Sequence, residues 1–313
     1  MNSRRKHTIV TTNEVPSSRW GIWKLAARPW TLPAAAAPVL VGGGLALAEG
    51  QFRPLVALVT LVVALLLQVG VNFVNDVQDY QRGADQMGER LGPPRVTTEG
   101  WLMPAEVWGG TWVVFGATAL LGLYLVWVGG WPILGIGVAS VVAALAYTGG
   151  PFPLGYHNLG EVFVFLFFGL FAVGGTYYLQ TGALSPLAVW AGAFMGSLAA
   201  AILVVNNYRD LENDRRAGKH TLAVCLGRQG TQVEYTLLLG LPYLTPIGLW
   251  LAGAAPLGVL AVWLSAPLMV KALRQFYTLQ GRALNRALAV TGKVELAYGV
   301  LLALGAVASA LLA

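Results

Sequence analysis

From Val107 to Gly160 the chain carries no Asp, Glu, Lys or Arg, and the same is true from Val162 to Tyr208 and from Tyr235 to Val270. Uncharged runs of this length cannot form the surface of a water-soluble domain, whereas a bilayer core asks for about 20 apolar residues per helix. Shorter uncharged intervals run from Pro29 to Ala48, Pro54 to Asn75 and Leu296 to Ala313. Taken in chain order, the six intervals hold one, one, two, two, two and one spans. Gly129, Gly130 and Pro132 divide the third interval, Gly182 and Pro186 the fourth, and Gly253 and Pro256 the fifth. The expectation is an all-α, polytopic membrane bundle of nine transmembrane helices. A hydrophobic fraction of 56% with only 11% charged residues agrees with it.

Charge orients the bundle. With nine spans and a cytoplasmic N-terminus, every one of the 20 Lys and Arg residues except Arg53 falls on the internal side. The formal net charge of +6 follows from this bias, so it points to anionic headgroups and phosphorylated substrates, not to nucleic acid. The lone cysteine, Cys225, excludes an intrachain disulfide and reads as an inert buried or interfacial thiol. Residues 1–18 are polar and read as a flexible tail without a cleavable signal, followed by one transmembrane domain over 19–313.

Two spans end in matching acidic segments. The second closes with Asn72, Asn75, Asp76 and Asp79, with Gly83 and Asp85 beyond. The sixth closes with Asn206, Asn207, Asp210, Glu212 and Asp214. If the helices continue through them, Asn75 and Asp79 share one stripe, as do Asn206, Asp210 and Asp214. Four spans separate the two ends, so both finish on the internal face and their carboxylates can meet. A few carboxylates on a hard, all-oxygen site suit Mg²⁺, which keeps water and completes its shell with phosphate oxygens. One acidic helix end alone would be an ordinary solvated surface; two matched ends at the membrane interface mark a site.

Of the nearby basic residues, Arg209, Arg215 and Arg216 read as positive-inside anchors. Lys219, between Gly218 and Thr221 in a tight turn, is a candidate phosphate contact, as are Arg28 before Pro29 and Arg95 after Pro94. The loop over 147–161 brings Tyr147, Tyr156, His157 and Glu161 to the same side. Its aromatic rings can face a planar substrate or an allylic cation, and His157 and Glu161 stand four residues apart as a possible proton-handling pair.

At these residues the sequence resembles the UbiA-type intramembrane aromatic prenyltransferases, and within them the 1,4-dihydroxy-2-naphthoate branch of menaquinone synthesis. The likeness rests on NDVQDYQRGAD at 75–85, YTGGPFPLGYHNLGE at 147–161, GTYYLQTG at 175–182, NNYRDLENDRRAGKHTLAVCLG at 206–227 and RPWTLPAAAAPVLVG at 28–42. It implies a nine-helix bundle around a central cavity with a side opening to lipid, and two Mg²⁺ ions bridging a diphosphate. By the same resemblance, metal binding falls to Asn75, Asp76, Asp79, Asp210 and Asp214. Together with the basic and loop residues read above, the candidate catalytic set is Asp79, Asp210, Asp214 and Lys219, and the candidate substrate contacts are Arg28, Asn72, Asp85, Arg95, Tyr147, His157, Asn206, Asn207 and Lys219. One departure from the broad family is that Asp85 follows Asp79 by six residues and not four. The implied partners are a polyprenyl diphosphate, an aromatic acceptor and membrane lipid. The implied reaction joins the isoprenoid to the carboxyl-bearing carbon of the naphthoate with loss of CO₂ and diphosphate, giving a demethylmenaquinone, in a bacterial-type cell membrane with the site toward the cytoplasm. Two alternatives stand beside it. One is prenyl transfer to another aromatic acceptor. The other is a cation-coupled transporter, which the sequence disfavours because no acidic residue falls near the middle of an expected span.

Overall fold

A computed structural model describes residues 18–83 and 90–313. The expected tail falls outside these residues except for Ser18, and so does Asp85. Eight helical runs are long and apolar enough to cross a membrane: α1 (Arg19–Ala48), α2 (Pro54–Gln81), α3 (Pro104–Gly129), α4 (Trp131–Thr148), α5 (Gly160–Thr181), α6 (Pro186–Arg216), α8 (Leu257–Thr278) and α9 (Gly281–Leu312). Between α6 and α8 runs α7 (Leu222–Leu251). Its first turns carry Arg228 and Glu234, which lower its hydropathy without shortening it. Among the described residues the nine spans expected from the sequence are therefore present, with breaks at the Gly/Pro positions that divided the uncharged intervals.

Local chemistry sets the ends. Ser18, Ser185 and Thr221 cap α1, α6 and α7 by accepting from the amides of Gly21, Ala188 and Val224. Prolines 54, 104, 132 and 186 occupy first-turn positions, where the missing N–H costs nothing. α1 is broken at Arg28, which takes a left-handed conformation (φ 49°) before the short 3-10 turn Pro29–Thr31.

The most enclosed span is α6. Gly192 and Gly196 let it lie backbone to backbone on Gly169 of α5, in the π-helical stretch Phe165–Phe171, the small-residue contact that drives helix association where no hydrophobic force acts between helices. α7, α8 and α9 complete a core with α1 and α6 around Tyr235, Tyr243, Phe276 and Tyr298. Hydroxyl groups buried there find partners, which hydrocarbon surroundings demand: Tyr235 with Thr291 (2.7 Å), Tyr243 with Ser265 (2.7 Å), and Tyr298 donating to the Pro242 carbonyl (2.6 Å).

α9 departs from expectation. Charge counting started the last span at Leu296, whereas the helix begins fifteen residues earlier and draws Lys293 and Glu295 inside it. Glu295 is fully buried and neither carboxyl oxygen has a hydrogen-bond partner in the structure, so an acidic residue does lie mid-span. An unpartnered buried carboxyl costs about 1–3 kcal/mol. Glu295→Met is expected to raise the thermal unfolding temperature of the purified protein; a fall would mean that the carboxyl has a partner in the membrane.

Candidate active site

α2 and α6 both run as unbroken helices through their acidic segments and end on the same face of the bundle. At that end a cavity of about 1470 Å³ opens between the helices. Its polar end carries Asn72, Asn75 and Asp79 from α2, Asn206, Asn207, Asp210 and Asp214 from α6, and Arg28, Arg95, Tyr147 and Lys219 from the surrounding segments. The remainder is mostly apolar, with Phe163, Phe167, Phe168 and Phe171 along one wall. The cavity thus joins an acidic and basic mouth to a hydrocarbon interior.

Asp79 is the hub of the polar end. It is only 5% exposed. One carboxyl oxygen accepts from the Tyr156 hydroxyl at 2.7 Å and faces the Lys219 ammonium at 3.5 Å, while the other pairs with the Arg95 guanidinium. Lys219 also stands 3.8 Å from Asp214, so it links the α2 and α6 carboxylates. Its position follows from a backbone pairing between loops. The Asn158 amide donates to the His220 carbonyl (2.9 Å) and the His220 amide to the Tyr156 carbonyl (3.0 Å), which locks the 149–159 loop onto the turn after α6. The Lys219 ammonium then lies over the Tyr156 ring, 4.6 Å from its centroid. Burial first, and then the adjacent Asp79 carboxylate, push the Tyr156 phenol above its ordinary range, so it stays a hydrogen-bond donor.

Arg209 does more than anchor the helix end. Only 7% exposed, it pairs with Asp210 and donates to Asn206 Oδ1 (2.7 Å) and, from α9, to Asn285 Oδ1 (2.6 Å). Asn285 in turn donates to the Leu91 carbonyl (2.8 Å), and Gly92 passes so close that a Cβ there would meet the guanidinium at 2.9 Å. Arg209 thereby ties α6, α9 and the segment after residue 90 together. A signal for it was present: it sits three residues after Asn206 and beside Asp210, in the acidic stripe itself. Asn285 carried no comparable signal. Lys293, which also lines the cavity, was hidden by the late start assumed for the last span.

Other expected residues are arranged differently. Asp76, expected as a metal ligand, points away from the cavity. Its 1%-exposed carboxylate accepts from the amides of Val96 (3.3 Å) and Thr97 (3.0 Å) and faces Arg28 at 3.6 Å, so it secures the following loop. Asp76→Ala leaves these groups without their acceptor and is expected to cost about 3–5 kcal/mol, read as a large fall in unfolding temperature. Unchanged stability with lost turnover would return Asp76 to the metal site. His157 is exposed, its ring bonded to the Pro153 carbonyl (2.8 Å) and stacked on Phe152, and it does not line the cavity. Glu161 instead accepts from Asn207 Nδ2 at 2.8 Å, so the expected His157–Glu161 pair does not form. Asn72 donates to the Ala27 carbonyl and to Thr31 Oγ1, both at 2.9 Å, while Asn75 Oδ1 accepts from Thr148 at 2.8 Å. Cys225 is exposed, with its sulfur 3.3 Å from Asn158 Oδ1.

The donors at the cavity mouth are oxygens, as a hard divalent cation requires. Among the described residues no three acidic, His or Cys side chains are grouped so as to hold a metal unaided.

A family model described as the UbiA prenyltransferase family matches residues 35–294. The chain belongs to this family. A 1,4-dihydroxy-2-naphthoate octaprenyltransferase of Haemophilus influenzae is 36% identical over 293 residues, covering 91% of this chain and 95% of the relative. The enzyme of the same name from Escherichia coli is 38% identical, covering 82% and 85%. Among solved structures, a UbiA homologue from Archaeoglobus fulgidus bound to GPP and Mg²⁺ superposes with a TM-score of 0.64 at 15% identity, over 92% of this chain and 99% of that one. A UbiA homologue from Aeropyrum pernix gives a TM-score of 0.65 at 16% identity, over 87% and 96%. The UbiA fold thus accounts for most of the helical bundle, and the two acidic helix ends lie within residues 35–294.

Proposed function

We propose that this UbiA-family protein transfers a polyprenyl group from polyprenyl diphosphate to 1,4-dihydroxy-2-naphthoate. A C–C bond forms at the carboxyl-bearing ring carbon as the donor's C–O bond breaks; CO₂ and diphosphate leave, and the product is a demethylmenaquinone precursor in its quinol form. One observation carries the reading: Asp79, Asp210 and Asp214 face Arg28, Arg95 and Lys219 at the mouth of a cavity that is mostly apolar beyond them. That is the arrangement an amphiphilic substrate with an anionic head and a hydrocarbon body requires. The naphthoate acceptor is supported by relatives of that name at 36% and 38% identity.

The membrane protein holds its site toward the cytoplasm, where its positive loops lie. Asp79, Asp210 and Asp214, with Asn75 and Asn206 in support, would hold Mg²⁺, two ions in number, beside the donor's diphosphate. Bound there, Mg²⁺ supplies the charge neutralisation that makes diphosphate a good leaving group. Lys219, Arg95 and Arg28 bind phosphate oxygens and take up the charge that develops as the C–O bond breaks. Arg209 orients Asp210 and Asn206. Tyr147 and the phenylalanines of α5 offer π-faces to the allylic cation and shield it from water. Glu295 does not revive the transporter alternative, because it stands outside the cavity wall with no polar partner to pass an ion to.

The test is mass identification of the lipid quinone in a host whose own naphthoate-prenylating step has been deleted. Expression of this chain should restore a demethylmenaquinone or menaquinone. Accumulated dihydroxynaphthoate with no prenylated naphthoquinone would contradict the proposal.

A further inference from the structure

α9 presents one stripe to the cavity, on which Asn285, Ala289, Gly292, Lys293 and Leu296 follow at helical spacing. Lys293 is its one charged member. The other charged residues of the cavity wall stand on the two acidic helix ends, at the break in α1 or on the loops beside them. Lys293 lies within a span. Its exposed side chain makes no ion pair or hydrogen bond among the described residues, and Glu295, two residues on, is not part of the cavity wall. A cation kept inside a membrane helix without a counter-ion marks a place where an anion arrives.

Packing fixes its depth. α1 and α9 run in the same direction, with Gly299 against Ala37 and Val41 and Gly44 on Ala303, so Lys293, six residues before Gly299, comes level with Pro33 and Ala34. Its Cα lies eight residues, about 12 Å at 1.5 Å per residue, inward of Asn285. Asn285 marks the level of Arg209 and, through it, of Asp210. An extended lysine side chain reaches about 6 Å over five bonds of about 1.5 Å, which can bring the ammonium back to within about 6 Å of that level. Ala34, Ala35, Ala199, Ala289 and Gly292 line the cavity nearby, and a Cβ on Gly292 would meet only Ile202, at 3.9 Å. Small side chains leave room there for a flat ring.

We propose that Lys293 binds the carboxylate of the aromatic acceptor and so sets which ring carbon faces the donor. This rests on the prenyl-transfer reading above. In that reaction the carboxyl-bearing carbon is the one attacked, so the carboxylate must lie close to the donor's reacting carbon, just inward of the diphosphate. Arg28, Arg95 and Lys219 stand at the mouth, where the diphosphate binds; Lys293 is the cation of the next layer, on a different wall. A carboxylate without a counter-ion would be costly in this mostly apolar part of the cavity. Lys293 supplies one, and the acceptor supplies the anion that Lys293 lacks. The pairing ends with the reaction: as the new C–C bond forms, the electron pair of the bond to the carboxylate returns to the ring and CO₂ leaves uncharged. The product then carries no anion for Lys293 to hold.

The test measures binding of 1-hydroxy-2-naphthoate and of its uncharged carboxamide to the purified protein by titration calorimetry, with Mg²⁺ and without donor. Lys293→Met and Lys293→Gln should each raise the Kd of the acid about tenfold or more and leave that of the amide within about twofold, whereas Lys293→Arg should keep the acid within about threefold of the parent. In turnover, both neutral variants should raise the KM for dihydroxynaphthoate while the KM for polyprenyl diphosphate stays within about twofold. Unchanged acid binding in both neutral variants, equal loss of acid and amide, or a matching rise in the donor KM would overturn the assignment. Product formation by the parent reads the reaction and the ratio of acid to amide binding reads Lys293, so failure of one is distinguishable from failure of the other.

Discussion

Asp79→Asn is expected to lower kcat for prenyl transfer by about 10²–10³-fold. The substitution keeps the shape of the side chain and removes its charge. Three groups from three other segments converge on that carboxylate: Tyr156, Lys219 and Arg95. Without it, Arg95 and Lys219 lose the anion that positions them, and the proposed Mg²⁺ site loses a ligand. The charge is needed most as the C–O bond breaks, so the loss should fall on kcat more than on the KM for the donor. Steady-state kinetics over a Mg²⁺ series check this. Full turnover in a folded Asp79→Asn protein would remove the residue from the site.

Arg209→Lys is expected to cost about 10²-fold in turnover, although it preserves the positive charge on which its reading as a membrane anchor depends. The guanidinium reaches Asp210, Asn206 and Asn285 at once through separate N–H groups. A lysine ammonium cannot hold three acceptors in that planar fork. Asp210 and Asn206 should then lose their fixed orientation, and the segment after residue 90 its tie to α9 through Asn285. Insertion and topology should be unchanged, which cysteine accessibility from the two sides of the membrane would report. Wild-type turnover in Arg209→Lys would return the residue to an anchoring role.

These two residues show which parts of the site are legible in the sequence. The shared face of Asn75 and Asp79, and of Asn206, Asp210 and Asp214, follows from helical periodicity once α2 and α6 are continuous, and all five line the cavity. The nine spans follow from uncharged length and Gly/Pro breaks. Periodicity cannot say which way a neighbouring side chain turns when it has two sets of partners within reach. Asp76, one residue from Asn75, turns to the amides of Val96 and Thr97, a loop contact across some twenty residues of sequence. The pairing of His220 with the 156–158 segment that sets Lys219 beside Tyr156 is likewise a long-range backbone event with no local pattern. Charge counting also assumes that ionisable residues end a span. Lys293 and Glu295 break that assumption, one because it faces the cavity and the other because it is enclosed within the bundle.

The most direct measurement is reconstitution. Purified protein given 1,4-dihydroxy-2-naphthoate, a polyprenyl diphosphate and Mg²⁺ should release diphosphate in step with a prenylated, decarboxylated naphthoquinol, and a chelator should stop both. No prenylated product with any isoprenoid length, or metal-dependent ion flux without diphosphate release, would contradict it.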